Sequence, residues 1–215
     1  EPLDPGSCFL TEIGNEKDYI SSRVSFGLDI LGPSVTVTSA CSSGLSAIIQ
    51  GASSLASAET DMVLAGASAL TFPNLGYLYE TGLVSSPDGI VRPFDESANG
   101  TVFGDSVGCV VMKRLSDAEK DGDDVLAVIK GWGQSNDGRQ KAGYAAPSSY
   151  GQSLAIEDAM RMSKIDPDSV SYIECHATAT GIGDGIEVMG LVQAYDRLRT
   201  PALASQPCSS SKRTA

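Results

Sequence analysis

Cys41 lies in the run Val35-Thr-Val-Thr-Ser-Ala-Cys-Ser-Ser-Gly44, and those neighbours make it a candidate nucleophile. A β-branched stretch passes into small residues at a turn, and an apolar helical pattern begins at once. That order predicts the Cys41 sulfur at the amino end of a helix. Unpaired N–H groups and the positive end of the helix dipole there favour thiolate over thiol. The one histidine among 215 residues, His176, likewise closes a β-type run, Val170 to Cys175. A thiol at one strand end and an imidazole at another are the groups a covalent acyl-transfer site needs.

The elements that must position them follow from periodicity. From Cys41 to Ala58, Leu45, Ile48, Ile49, Ala52, Leu55 and Ala56 recur at helical spacing. Ser, Gly and Ala fill the other positions, which predicts a helix buried on most sides. Asp61 to Ala69 then reads as a short apolar strand of parallel type. Pro73 to Asp88 reads as an irregular excursion with a short helix. Cys109 to Met112 and Val125 to Gly131 are further strand candidates, with a brief polar helix at Ser116 to Lys120. Tyr150 to Met162 carries Leu154, Ile156, Ala159 and Met160 at helical spacing, and Asp166-Pro167-Asp168 ends that unit. Asp184 can cap a last helix through Leu198. Strands alternating with helices predict an α/β sheet sandwich, and the order strand, cysteine, helix is loosely echoed by strand, histidine, helix.

Composition narrows the function classes. Hydrophobic residues make up 41% and charged residues 20%, ordinary for a globular chain able to bury a core. A formal charge of −12 disfavours nucleic acid, since only the Lys113-Arg114 and Lys212-Arg213 pairs concentrate positive charge. No apolar run approaches the ~20 residues that span a bilayer, so no membrane span is expected. No basic-then-apolar leader opens the chain, which begins at Glu1 and reads as a piece of something longer. Five cysteines without a C-x-x-C pair support neither a disulfide framework nor a zinc site. A reducing compartment, the cytoplasm or an organelle, is expected. No G-K-[ST] loop or complete G-x-G-x-x-G pattern supports phosphate binding.

Several separated motifs, taken in order, resemble one family. They are Ser34 to Gly44, Arg92-Pro-Phe-Asp95, Asn136-Asp-Gly138, Ala146-Pro-Ser148, and Glu174-Cys-His-Ala-Thr-Ala-Thr-Gly181 with Gly183-Asp184. From about Tyr19 to about Leu198 the chain is similar to the ketosynthase domains of type I polyketide and fatty acid synthases. The resemblance implies a thiolase-like α/β fold, layered αβαβα, here incomplete: a fragment of the two duplicated halves. Residues 1–143 are expected to hold the remainder of the amino-terminal half with the nucleophile. Residues 144–215 are expected to open the carboxy-terminal half with the histidine.

The resemblance also implies roles. Cys41 would carry the acyl chain, and a malonyl-type unit on acyl carrier protein would decarboxylate and attack it. His176 would stabilise the enolate oxygen, and Thr178 and Thr180 would bind the pantetheine arm. No cofactor would bind directly, the substrates riding on the carrier's phosphopantetheine, and the complete protein would be a homodimer. The family pattern departs here in three places. Thr38-Ser39-Ala40 stands for Asp-Thr-Ala, and Gly104-Asp-Ser-Val-Gly108 for Gly-Glu-Gly-Ala-Gly. Ala177 and Ala179 replace both glycines of His-Gly-Thr-Gly-Thr. If either glycine position requires a positive φ, alanine costs about 1 kcal/mol there. The family's second histidine is absent from these residues, and Lys212 is the one candidate for its lysine.

Plainer readings compete with each assignment. Cys8, Cys109, Cys175 and Cys208 read as small buried hydrophobes. Strand alternation turns Cys175 away from its neighbour His176. Asp184 reads as a helix cap and Glu187 as an ion-pair former on a packing face. For the whole chain the alternatives are a non-catalytic truncated or degenerate ketosynthase-like fragment, and a cysteine-dependent thioester hydrolase using Cys41 and His176. A partial sheet leaves strand edges and apolar faces uncovered, so the isolated chain is expected to be poorly soluble.

Overall fold

The apolar positions after Cys41 form α3, Ser43–Ala56, entered through a 3-10 turn over Ala40–Ser42. A computed structural model describes residues 4–71, 73 and 75–200. Cys208, Lys212 and the Lys212-Arg213 pair lie outside the described residues. The chain divides into two compact units, Glu1–Ala69 with Ser106–Val125, and Leu70–Asp105 with Leu126–Ala215.

In the first unit, α1 (Pro5–Asn15) and α2 (Ile20–Leu28) precede α3. Two strands follow, β1 (Met62–Ala69) and β2 (Ser106–Lys113), and then α4 (Leu115–Asp121). The strands pair antiparallel from Met62 opposite Lys113 to Ala69 opposite Ser106. The expected parallel partner is therefore not what β1 has among the described residues. A continuous apolar run reports burial, and the direction of the neighbour is a tertiary property.

Leu55 of α3, Ala65 and Met112 form the buried cluster, with Ile48 and Val63 against it. Glycines let α3 approach the sheet this closely. A Cβ on Gly51 would lie 2.7 Å from Val63 Cγ1, and one on Gly44 3.2 Å from Ala67 Cβ. The helix buries one face only, since Leu45 is 69% exposed. Arg114 ties the end of α3 to its neighbours. Its guanidinium donates to the Leu55 carbonyl at 3.3 Å and the Thr60 carbonyl at 2.7 Å, and pairs with Asp61 and Asp117.

In the second unit, α5 (Ser149–Ser163) is capped by the Ser148 hydroxyl, which accepts from Gly151 N at 3.2 Å. It packs on α6 (Gly183–Arg199), where a Cβ on Gly190 would meet Gln152 Cβ at 3.0 Å. Gly131 and Gly133 also lie against α5, since a Cβ on Gly133 would come within 2.0 Å of the Ala155 carbonyl. No strand pairing is assigned to Val125–Gly131 or Val170–Cys175, and no helix to 73–88, among the described residues. A strand needs a second backbone, which side-chain alternation cannot supply.

Buried Glu157 of α5 sits between Arg161 of the same helix and Arg197 of α6, which joins the two. Arg197 Nε lies 2.8 Å from its Oε1 and Arg161 Nη2 3.1 Å from its Oε2. Arg197 also donates to the Ser153 hydroxyl. Large apolar side chains remain in the open, including Phe26, Leu31, Leu78 and Leu126, each at least 90% exposed. Glu157→Ala should cost about 3–5 kcal/mol, because two partly buried guanidiniums lose their counter-charge. Urea unfolding followed by circular dichroism measures the loss.

Candidate functional site

The four site residues expected from the sequence fall in two places. Cys41 belongs to the first unit, while His176, Thr178 and Thr180 share one loop of the second.

Cys41 is exposed in the 3-10 turn that leads into α3. The residue before it, Ala40, has φ 52°, a left-handed conformation that alanine rarely adopts. Serine hydroxyls hold the turn. Ser39 N–H donates to Ser43 Oγ at 2.8 Å, and Ser43 Oγ donates to the Ala40 carbonyl at 2.7 Å. Ser42 Oγ donates to the Ser39 carbonyl at 2.8 Å, and Ser39 Oγ donates to buried Ser46 Oγ at 3.1 Å. The turn thus presents the sulfur at the amino end of a fourteen-residue helix.

The histidine loop is held differently, by two carboxylates from the start of α6. Glu187 accepts from His176 N through Oε1 at 2.6 Å and from Ala177 N through Oε2 at 2.9 Å. Buried Asp184 accepts from Ala179 N at 2.9 Å and from Phe94 N at 2.6 Å. Asp184 therefore joins the histidine loop to the Arg92–Asp95 motif, 90 residues away in the chain. Ala177, Ala179 and Phe94 have φ of 49°, 56° and 59°. Each of these left-handed residues gives its N–H to one of the two carboxylates. The hydroxyls of Thr178 and Thr180 lie 3.1 Å apart, and Gly183 N donates to Thr180 Oγ1 at 3.2 Å. The Ala179 carbonyl accepts from Gly100 N at 2.8 Å.

The Arg92–Asp95 segment is itself braced. Ser86, fully buried, donates to Asp88 Oδ1 at 2.8 Å and accepts from Ile90 N at 3.2 Å. Asp88 pairs with Arg92 at 2.9 Å, and this contact, with hydrogen bonds from Ser86 and Ile90, holds its carboxyl far below the usual range. Cys175 is half-buried beside His176. Burial first, then the charges of Glu187, Glu174 and Asp184, push its thiol above the ordinary value. Among the described residues no group of three or more His, Cys, Asp or Glu could hold a metal ion.

Comparison with known proteins decides the family. The family model for the beta-ketoacyl synthase N-terminal domain matches residues 5–118, and that for the C-terminal domain matches residues 126–214. The chain belongs to the beta-ketoacyl synthase family. It is 46% identical over 207 residues to a phenolphthiocerol/phthiocerol polyketide synthase of Mycobacterium tuberculosis, covering 96% of this chain and 14% of that protein. Polyketide synthase PksN of Bacillus subtilis is 42% identical over 82% of this chain and 3% of its own length. The solved ketosynthase twelve of the bacillaene polyketide synthase from Bacillus amyloliquefaciens superposes with a TM-score of 0.86 at 36% identity. That match covers 91% of this chain and 36% of the solved one, so the chain spans about a third of that ketosynthase. The fold class is accordingly the thiolase-like α/β fold of the solved ketosynthases.

Two readings of the ketosynthase chain change with the structure. Asp184 does not cap its own helix, whose N-cap is Ile182, but accepts from two loop N–H groups instead. Glu187 is not an ion-pair former on a packing face, because its oxygens take backbone N–H groups. The available signal was the pair of carboxylates three apart in the first two turns, just after a loop rich in small residues. Periodicity could place them on α6 but could not name distant donors.

Both alanines do occupy the positive φ that the glycine pattern suggested, at roughly 1–2 kcal/mol each. Ala177→Gly should raise stability by about 0.5–1 kcal/mol, since its methyl is only partly buried. Ala179 is fully buried, and losing its methyl costs about 0.8 kcal/mol, so Ala179→Gly should change stability little. Urea midpoints of the two variants check this ordering. The Cys175 thiol should stay protonated at neutral pH, because its shift is upward. Its alkylation by iodoacetamide, followed by peptide mass spectrometry, should keep rising above pH 9, the ordinary thiol value.

Proposed function

We propose that this chain carries the nucleophile and one catalytic histidine of a condensing ketosynthase. What supports the reading is the family match in both halves, with Cys41 inside one matched region and His176 inside the other. In this mechanism the Cys41 thiolate attacks an acyl thioester on acyl carrier protein and expels the carrier thiolate, which takes up a proton. The Cys41 backbone N–H serves as one oxyanion donor, typically worth about 3 kcal/mol of barrier. A malonyl-type thioester on a carrier then loses carbon dioxide. The carbon left with the electron pair attacks the acyl carbonyl, and the Cys41 sulfur departs as thiolate. One C–C bond forms, and the product is a 3-oxoacyl thioester on the carrier.

His176 donates to the enolate oxygen during decarboxylation, and Thr178 and Thr180 hold the pantetheine arm. The two threonine hydroxyls, hydrogen-bonded to each other at 3.1 Å, can each give or take one further bond from an amide of that arm. Partners in this reading are acyl carrier protein and a second ketosynthase copy, and the setting is the cytoplasm. No helix among the described residues is long and apolar enough to cross a membrane.

The sequence holds one histidine, and the family chemistry shares enolate stabilisation between two. The 215 residues alone should therefore acylate at Cys41 but not condense. Incubation with an acyl N-acetylcysteamine thioester should add one acyl group, seen by intact mass spectrometry and lost in Cys41→Ala. Radiolabelled malonyl-carrier should then yield no 3-oxoacyl product. An adduct that persists in Cys41→Ala, or none in the unaltered chain, would defeat the nucleophile assignment. Product from this chain by itself would defeat the division of labour.

A further inference from the structure

We propose that Ser43 is a positioning residue that holds Ala40 in its left-handed conformation and thereby aims the Cys41 sulfur, a role that rests on the reading of Cys41 as nucleophile. The Ser43 hydroxyl bridges both ends of the Ser39-Ala40 dipeptide. It accepts from Ser39 N at 2.8 Å and donates to the Ala40 carbonyl at 2.7 Å. One hydroxyl has one proton to give and lone pairs to receive, so both bonds form together. Between the bridged atoms lies Ala40 at φ 52°, which an alanine does not hold unaided. The next residue is Cys41, so relaxing Ala40 to an ordinary right-handed or extended conformation would swing the cysteine away from the helix start.

Neither other hydroxyl can substitute. Ser42 Oγ reaches the Ser39 carbonyl and hydroxyl, and so leaves the Ser39 N–H and the Ala40 carbonyl to Ser43. Ser46 is buried and bonded to the Ser39 side chain, not to its backbone. Ser43 is the residue whose side chain binds both the Ser39 N–H and the Ala40 carbonyl, and it stands in the first turn of the helix that begins there.

The bridge makes a paired prediction that general destabilisation does not. In the 215-residue chain, the rate of Cys41 alkylation by iodoacetamide is read at the peptide level, with Cys109 of the same unit, exposed and not buried as expected, as reference. Ser43→Ala should slow Cys41 roughly fivefold or more and leave Cys109 unchanged. Ser43→Thr, which keeps the hydroxyl, should stay within about twofold of the unaltered chain. Ala40→Gly added to Ser43→Ala should restore the rate, because glycine takes a positive φ without a clamp.

An unchanged Cys41 rate in Ser43→Ala overturns the proposal, as does failure of Ala40→Gly to rescue it. So does a parallel change at Cys109, which would mark loosening of the whole unit. Iodoacetamide needs no thioester. Loss of acylation with this alkylation pattern intact would therefore sink the condensing reading alone, and the reverse outcome would sink the Ser43 role alone.

Discussion

Two carboxylates at the start of α6 organise the histidine loop, and most of what is distinctive in the second unit follows from them. Glu187 and Asp184 together receive four backbone N–H groups, those of His176, Ala177, Ala179 and Phe94. Hydrogen bonds to a charged acceptor contribute about 1.5–3 kcal/mol each. A left-handed alanine costs roughly 1–2 kcal/mol, so the carboxylates outweigh the strain they impose on the loop. Because α6 is long and packed on α5, the loop inherits the rigidity of the helix pair. The chain of causes runs from Glu157 between its two arginines, through the α5–α6 contact, to the backbone beside His176.

The first unit meets a comparable demand with neutral groups. The turn at Cys41 also contains a left-handed alanine, but serine hydroxyls and not carboxylates surround it. The choice has a chemical logic. A carboxylate beside Cys41 would oppose formation of a thiolate, whereas a hydroxyl constrains the backbone without adding negative charge. Cys175 is pushed upward first by burial, and the charges of Glu187, Glu174 and Asp184 add to that penalty. Glycines on α3 serve the same turn indirectly, letting the helix lie close to β1 so that its first turn is firmly seated.

Much of this was legible beforehand because it depends on local chemistry. The stretch from Cys41 to Ala58 announced α3 by its spacing, and the structure begins that helix two residues later. The helix expected over Tyr150 to Met162 appears as Ser149–Ser163. The glycine-to-alanine departures at Ala177 and Ala179 raised the question of a positive φ, and both residues adopt one. Other features were out of reach. Nothing at Glu187 announces that its acceptors face His176 N and Ala177 N, and nothing near Phe94 announces a bond to a residue 90 positions on. Leu45 belongs to the apolar stripe of α3 and is nevertheless exposed, since a stripe does not say what covers it.

The amino-acid sequence by itself determined the family motifs, the positions of α3 to α6 and the residue types offered for acyl transfer. These are local properties, set by side-chain period, turn chemistry and the reactivity of sulfur and imidazole. Only the tertiary structure decided that β1 pairs antiparallel with β2, that Asp184 bridges two loops, and that one hydroxyl binds both the Ser39 N–H and the Ala40 carbonyl. The physical reason is the same in each case. A hydrogen bond is satisfied by whichever donor the folded backbone brings within about 3 Å, and the order of residues along the chain does not name that donor.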